Sequence, residues 1–487
     1  MVRKLIDVKS SARQSRLAAA LDGLAESLQL PAGYPPDALA EARSAVDGLR
    51  LPATELTDIK FVTIDPPTST DLDQAVHIER DGTGYTVSYA IADVPAFVPS
   101  GGALDAETRR RGQTLYLPGR RIPLHPEIIS EDAGSLLPGQ RRGAYVWRFH
   151  LDAQARVTGT ELVRATVRSR AKLDYAGVQA AIDDGTAPAS LALLKEVGLK
   201  RIDAERERGG ASLRIPEQEV EVDDDGVYQL EARAPLPVED WNAQISLMTG
   251  MEAAKIMLEG RLGILRTMPS PDEHSSTAFR QEAASLGTPW EEGVPYGDFL
   301  RSLDVSRPRQ LAIMHAATSL FRGAGYTAFD GEVPKEQTQA AIAAPYAHTT
   351  APLRRLVDRF VLVVCEHLVR GAAVPEPIRR ALPQLPELMQ SSNQLAGQVE
   401  RAALDTVEAA LLVDRIGETF DAVTLNGASP EQIAAARENG HAPGGRLQIL
   451  DPAVNARFEG TAEAGERVKA ELIEVDLDQR TVLFRIP

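Results

Sequence analysis

The residues best suited to chemistry lie in one short stretch, Thr63-Ile64-Asp65-Pro66-Pro67-Thr68-Ser69-Thr70-Asp71-Leu72-Asp73-Gln74. Asp65, Asp71 and Asp73 fall within nine residues, just after a β-branched run that reads as a strand. The two prolines stiffen the loop, so the chain can fold the carboxylates toward one point. Such hard oxygen ligands suit Mg²⁺, with Mn²⁺ also accepted. Mg²⁺ typically takes one or two protein carboxylates and fills its remaining positions with water and phosphate. A phosphodiester held there would have its charge neutralised and a water activated against it. The plain alternative is an acidic turn, since Asp and Pro are common turn residues. An EF-hand is excluded, because the central Gly and terminal Glu of that loop are missing. No His/Cys set is present for a dedicated zinc site.

A second candidate lies almost three hundred residues on. Leu353, Leu356, Val357, Phe360, Val361, Val364 and Leu368 recur at helical spacing. Pro352 fits the first turn of that helix, and Thr349 or Thr350 fits its cap. Arg354 would then stand beside free N–H groups at the positive end of the helix dipole, a phosphate-binding arrangement. An arginine can also grip two phosphate oxygens at once. The alternative is that Arg354 and Arg355 are surface charges on an amphipathic helix. His348 reads as structural.

The rest of the chain must position these groups. It has 487 residues, enough for two or three domains, and 43% hydrophobic content, enough for a real core. Its single cysteine, Cys365, sits in an apolar run, so a disulfide framework is excluded and a buried thiol is expected. No apolar run approaches the ~20 residues that span a bilayer. A soluble cytoplasmic monomer without membrane contact is expected. The net charge of −16 argues against a broad basic surface for duplex DNA, while leaving room for a locally basic channel. Residues 1–55 read as a small helical domain, with helix-turn-helix as the candidate type. Residues 56–413 alternate strands and helices as one large α+β domain. Residues 414–487 end in the alternating run Val468 to Val475 and the run Thr481 to Ile486, a β-hairpin in a small β domain. Residues 425–446 read as a loop or helical insertion.

Several of these words, in order, closely resemble the catalytic domain of the RNase II/RNase R (RNB) exoribonuclease family. They are Thr63 to Pro67 with Asp71-Leu72-Asp73, Ile91-Ala92-Asp93-Val94, Tyr116-Leu117-Pro118-Gly119 with Ile122-Pro123, Ser135-Leu136, and Tyr346 to Arg355. The match runs over roughly residues 56–412. The tail, through Gly465 to Lys469 and Val475 to Asp478, is similar to the OB-fold RNA-binding domain of the ribosomal S-one type.

The resemblance implies a hydrolytic, processive 3′→5′ exoribonuclease that admits single-stranded RNA and releases nucleoside 5′-monophosphates. It implies that Asp65, Asp71 and Asp73 bind Mg²⁺ and the attacking water. Tyr116 would pack on the terminal nucleotide and Arg354 would grip the scissile phosphate. Arg355 and Thr349 would lie along the substrate. Three departures stand out. Gln74 replaces a fourth aspartate, keeping an oxygen but no charge. Leu213 takes the place of a base-stacking aromatic residue. Ala403 stands for a helical glutamate, with Glu400 nearby. An RNA-binding protein whose catalysis has decayed is therefore the competing reading, and the retained Asp65, Asp71, Asp73, Tyr116 and Arg354 favour the enzyme.

Overall fold

The computed structural model describes residues 11–211, 217–222, 228–233, 235–320, 322–427, 443–450 and 453–486. Two helices come first, α1 (Ser11–Ser27) and α2 (Pro36–Asp47), and α2 takes Pro36 at its first position, where the missing N–H costs nothing. They do not build a core of their own. Leu17, Leu21 and Leu24 of α1 join one apolar cluster, and Ala42 of α2 joins another.

The α+β region opens with β1 (Thr63–Ile64), β2 (Gln74–Asp81) and β3 (Gly84–Ala92). Next come α3 (Ala103–Arg111), which Gly112 closes at φ 71°, the ribbon β4 (Leu115–Leu117) and β5 (Arg120–Ile122), then β6 (Arg141–Leu151), β7 (Val157–Arg168) and β8 (Lys172–Leu173). Strands β2-β3-β6-β7 form an antiparallel sheet in that order. All nine residues of β3 are buried, so both faces of the sheet are covered. The period-2 alternation sorts side chains by size. Tyr85, Val87, Tyr89 and Ile91 face a cluster shared with Trp147 and Phe149, while Ala90, Ala92, Ala144 and Val146 face the other way.

Helices pack on the large-residue face: α4 (Tyr175–Asp183), α5 (Ala189–Arg208) and, after the hairpin β9 (Glu217–Val222) and β10 (Tyr228–Arg233), α6 (Pro237–Gly260). Beyond β11 (Leu262–Thr267), three short helices form a separate apolar cluster around Phe279, Phe299 and Ile313: α7 (Glu273–Ser285), α8 (Tyr296–Ser302) and α9 (Pro308–Ala317). Strand β12 (Gly325–Asp330) returns to pair β11, and β13 (Thr338–Gln339) with β14 (Ala344–Pro345) leads into α10 (Leu356–Val369), α11 (Glu376–Ala381) and α12 (Leu385–Leu412). Cys365 is buried within α10, and burial pushes its thiol up, so it is inert at neutral pH.

The C-terminal strands β15 (Thr419–Asn426), β16 (Gly444–Leu450), β17 (Ala453–Glu459), β18 (Arg467–Asp476) and β19 (Thr481–Arg485) close into a barrel of order β15-β16-β17-β19-β18. Only β17 and β19 run parallel, which is the OB arrangement. The hairpin expected in the tail is β18–β19. The expected insertion at 425–446 is narrower, since residues up to 426 and from 444 are paired strand; residues 428–442 lie outside the described residues. Val399, Ala403, Val407 and Leu411 of α12 join the barrel core and α1 in one cluster, so α12 ties the barrel to the α+β region. Among the described residues no helix is long and apolar enough to cross a membrane.

Leu24 is fully buried in this three-way junction. Replacing it by Ala should lower the free energy of urea unfolding by about 2–5 kcal/mol. A loss under about 0.5 kcal/mol would mean that α1 contributes little to the junction.

Candidate active site

The loop carrying the aspartates is held from beneath by neighbours that need not touch a substrate. Strand β1 pairs in parallel with β8, and the Asp65 N–H donates to the Leu173 carbonyl at 3.0 Å. The next residue back, Lys172, spends its ammonium on the carbonyls of Pro67 and Ser69, both at 2.6 Å. Ser135 donates its hydroxyl to the Thr70 carbonyl at 2.7 Å and accepts the Leu72 N–H at 3.0 Å. Arg121 holds Asp71 Oδ1 at 3.0 Å and Glu131 at 2.5 Å. Leu72 then inserts into the apolar cluster on the small-residue face of the sheet, together with Leu353.

That shared cluster brings two distant segments together. Asp73 is buried, and its Oδ1 accepts the Leu353 N–H at 2.7 Å. Its Oδ2 lies 3.3 Å from Arg354 Nε but without hydrogen-bond geometry, so this buried oxygen has no hydrogen-bond donor. The turn that presents Leu353 and Arg354 is itself fixed at three points. Asp358 accepts the Ala351 N–H at 2.8 Å, His125 Nδ1 meets the Leu353 carbonyl at 3.0 Å, and the Thr114 N–H donates to the Arg354 carbonyl at 2.9 Å. Burial pushes the His125 imidazole down to about 3. It is therefore neutral, and its Nδ1 must carry the proton to serve the carbonyl.

This turn corrects the expected helix start. Helix α10 begins at Leu356 with Arg355 in the cap position, so Pro352 and Arg354 lie in the preceding turn and neither Thr349 nor Thr350 caps it. The apolar spacing continued one turn too far because Leu353 is buried from the turn, in the same cluster as Leu72. Arg354 consequently stands outside the helix, just before its cap, and its capacity to grip a phosphate comes from its guanidinium. Two residues expected along the substrate are committed elsewhere. Arg355 is bidentate to Asp358, at 2.5 and 2.7 Å, and Thr349 is wholly buried. Leu213 lies outside the described residues.

Tyr116, on β4, is the large side chain left open at this place. It is 53% exposed, yet its hydroxyl faces Asp71, Asp73 and Arg354. Burial of that hydroxyl end and the nearby Asp71 push it up to about 12, so it stays a neutral donor. Burial likewise raises the Asp65 carboxyl to about 6 and that of Asp73 well above the usual carboxylate range. Arg354 opposes the rise in both, and Asp71 adds to it. Behind them stand residues that the sequence did not single out. Tyr89 donates to Gln74 Oε1 at 2.5 Å and meets Ser246 of α6 at 2.7 Å, and Tyr175 hydrogen-bonds Asn242 beside Asp65.

A divalent cation fits this donor set in a specific way. Asp73 offers a buried oxygen with no donor, and burial leaves Asp65 and Asp73 poorly compensated as anions, which an added positive charge would relieve. The loop does not gather three carboxylates at one point, however. Among the described residues no group of three His, Cys, Asp or Glu side chains lies close enough to hold an ion. Arg121 draws Asp71 aside, and the Gln74 oxygen serves Tyr89. One or two carboxylates, with water and phosphate supplying the rest, is the coordination Mg²⁺ ordinarily accepts. Ala403 is buried in the apolar junction with α1 and the barrel, and Glu400 is exposed.

Comparison with known proteins matches two family models, the RNB domain over residues 53–371 and the RNase II-type exonuclease C-terminal S1 domain over residues 418–486. Similar relatives include Ribonuclease R of Mycoplasma pneumoniae (strain ATCC 29342 / M129 / Subtype 1), 33% identical over 37% of this chain and 26% of that protein. The probable exosome complex exonuclease RRP44 of Caenorhabditis elegans is 27% identical over 68% of this chain and 36% of its own length. Ribonuclease R of Aquifex aeolicus (strain VF5) is 25% identical over 99% of this chain and 72% of its own. The chain thus spans between a quarter and just over a third of the first two curated relatives. In fold it is similar to Mycoplasma genitalium RNase R in complex with ribose methylated single-stranded RNA, with a TM-score of 0.84 at 18% identity over 97% of this chain and 78% of that one. It is also similar to yeast Ssd1, a pseudonuclease, with a TM-score of 0.70 at 16% identity over 94% and 58%.

The raised Asp65 carboxyl has a consequence for stability. It titrates at about 6 when folded and near ~3.9 when unfolded, so the folded chain binds more protons between those values. Stability should fall as pH rises through that window. In EDTA, Asp65→Asn should therefore melt at a higher temperature than the parent at pH 7.5, with the difference shrinking toward pH 4. Equal melting temperatures at pH 7.5 would show that Asp65 is not held against its charge.

Proposed function

The chain belongs to the RNB family, whose domain model matches well over half of it, and on that premise we propose that it is a Mg²⁺-dependent, processive 3′→5′ exoribonuclease. It would hydrolyse single-stranded RNA to nucleoside 5′-monophosphates. The observation that supports this most is the junction where buried Asp73 meets the Leu353 N–H and Arg354, with the Tyr116 ring open beside it. These are a carboxylate, a guanidinium and an open aromatic ring, side chains that can accept a proton, bind a phosphate and stack on a terminal base.

In this reading the Tyr116 ring stacks on the terminal base, a contact worth ~1–3 kcal/mol. Arg354 binds non-bridging oxygens of the scissile phosphate and steadies the charge that grows there. Asp73 takes a proton from the attacking water, a role that burial favours by raising the basicity of its carboxylate. Asp65 and Asp73 would hold the cation, Mg²⁺ or Mn²⁺, and Asp71 would join them on release from Arg121. When bound, the cation supplies charge neutralisation at the phosphate and a lower pKa for water. The C-terminal OB barrel would guide the incoming strand. A chain with one buried cysteine suits the cytoplasm, and a monomer suffices for this site.

One observation favours the second reading, an RNA-binding protein without catalysis. Gln74 brings no charge, and its oxygen is already occupied by Tyr89. The two readings separate on Asp73→Asn. This near-isosteric change should leave binding to a 3′ single strand as tight as in the parent, or tighter, while cleavage falls by about 10²–10⁴. Cleavage of a labelled oligomer at the parental rate by Asp73→Asn would remove Asp73 from the chemistry. A parent that binds but never cleaves would establish the second reading.

Cation dependence is checked separately. Excess EDTA should abolish cleavage, and Mg²⁺ or Mn²⁺ should restore it. Full activity in EDTA would rule out a metal-assisted reaction.

A further inference from the structure

A cavity of about 480 Å³ lies between α5 and α6, where the turn from β6 to β7 meets them. The catalytic loop feeds into the other end of the same sheet. Gln74 pairs with Ile91 and Ile91 with Tyr145, whereas the cavity adjoins the end at which Tyr85 pairs with Leu151 and Leu151 with Val157. Tyr85 and Ile91 lie six residue steps apart along β3, roughly 20 Å.

Three arginines line this cavity: Arg156, Arg201 and Arg208. Arg201 is 5% exposed and spends one terminal nitrogen on the Ala155 carbonyl at 3.2 Å, but its Nε has no partner. The buried Nε of Arg208 also has no hydrogen-bond partner. Both Nε atoms are closed to solvent, so contact with a ligand in the cavity falls to the terminal guanidinium nitrogens. The carboxylates around them are mostly engaged elsewhere. Glu252 accepts the Thr160 hydroxyl at 2.8 Å, Glu205 accepts the Gln244 amide at 2.6 Å, and Glu207 pairs with Arg156 at 3.5 Å near the surface. Burial lowers the basicity of both Arg201 and Arg208, Arg208 lowers that of Arg201 further, and Glu205 and Glu252 do not offset this. Val157, Met248 and Met251 supply an apolar part of the lining.

We propose that this cavity is a binding site, separate from the catalytic one, for a small phosphate-bearing anion whose oxygens meet Arg201 and Arg208. Guanidinium N–H donors match tetrahedral oxyanions in geometry and charge. The volume lies within the range of small-ligand sites. The methionine part of the lining is suited to the flat, apolar face of a base or sugar, so a nucleoside monophosphate would use the whole cavity and inorganic phosphate only its basic part.

The test uses the full chain in EDTA, with its catalytic channel saturated by an excess of 2′-O-methyl oligo(A). AMP and inorganic phosphate are titrated separately by calorimetry. Saturable binding of one AMP is expected, tighter than phosphate if the occupant is a nucleotide and equal to phosphate if the occupant is the free ion. Arg208→Gln should weaken AMP binding about tenfold or more. Met251→Trp, which fills the cavity and leaves every charge in place, should abolish AMP binding. Unchanged affinity for a 3′ single strand in both variants would report that they fold. No binding of either probe to the parent would overturn the proposal. Loss of AMP when the oligomer is added, or equal affinity in parent and variants, would also overturn it.

Discussion

One hydrogen bond, from the Leu353 N–H to Asp73 Oδ1, joins segments 280 residues apart, and the candidate site depends on it. An ionised carboxylate in a buried position is expensive unless it is paired and hydrogen-bonded. Asp73 has one firm donor, one loosely placed guanidinium and one oxygen without a donor. The balance is left short, so the carboxyl keeps its proton far more readily than a surface aspartate does. A group in that condition is ready to accept a proton or a cation. The fold tolerates it because Leu72 and Leu353, on either side of the junction, bury their side chains in one apolar cluster. Hydrophobic burial thus fixes the register between the two segments, and the polar contact follows from it.

The supporting shell shows where the cost of this arrangement is met. Lys172, Ser135 and Arg121 satisfy the carbonyls and side chains of the aspartate loop, and Asp358, His125 and the Thr114 N–H do the same for the Arg354 turn. Each is spent on backbone or on another fixed side chain, which leaves Asp65, Asp73, Arg354 and Tyr116 as the groups free to act. His125 illustrates the division. A neutral imidazole would be an obvious proton carrier elsewhere, but here its proton is committed to the Leu353 carbonyl, and it orients the arginine turn.

Much of this was legible in the sequence. The two prolines and three aspartates marked the loop, the alternating tail marked the last two strands, and the ordered motifs marked the family. What could not be read was which apolar residues belong to a helix and which to the turn before it. Leu353 satisfies the helical period while standing outside the helix, because burial in a turn and burial on a helix face leave the same mark on a sequence. Local pairing was equally hidden. Arg354 and Arg355 are adjacent and chemically alike, yet Asp358, in the first turn of the helix, claims only the second. The first two helices have good helix-forming sequences, but nothing in them says that one packs on α12 and the barrel and the other on a different cluster. Such contacts are set by surfaces contributed from far along the chain.

The central question is whether this junction serves removal of nucleotides from a free 3′ end. The direct measurement is a time course on 5′-labelled oligo(A) with Mg²⁺, run beside the same oligomer annealed along its whole length to a complement. The account predicts that the single strand is shortened from its 3′ end to a short labelled remnant, that nucleoside 5′-monophosphate appears in step, and that the blunt duplex resists. Persistence of the full-length single strand, or labelled fragments from internal cuts made without regard to the 3′ end, would contradict it.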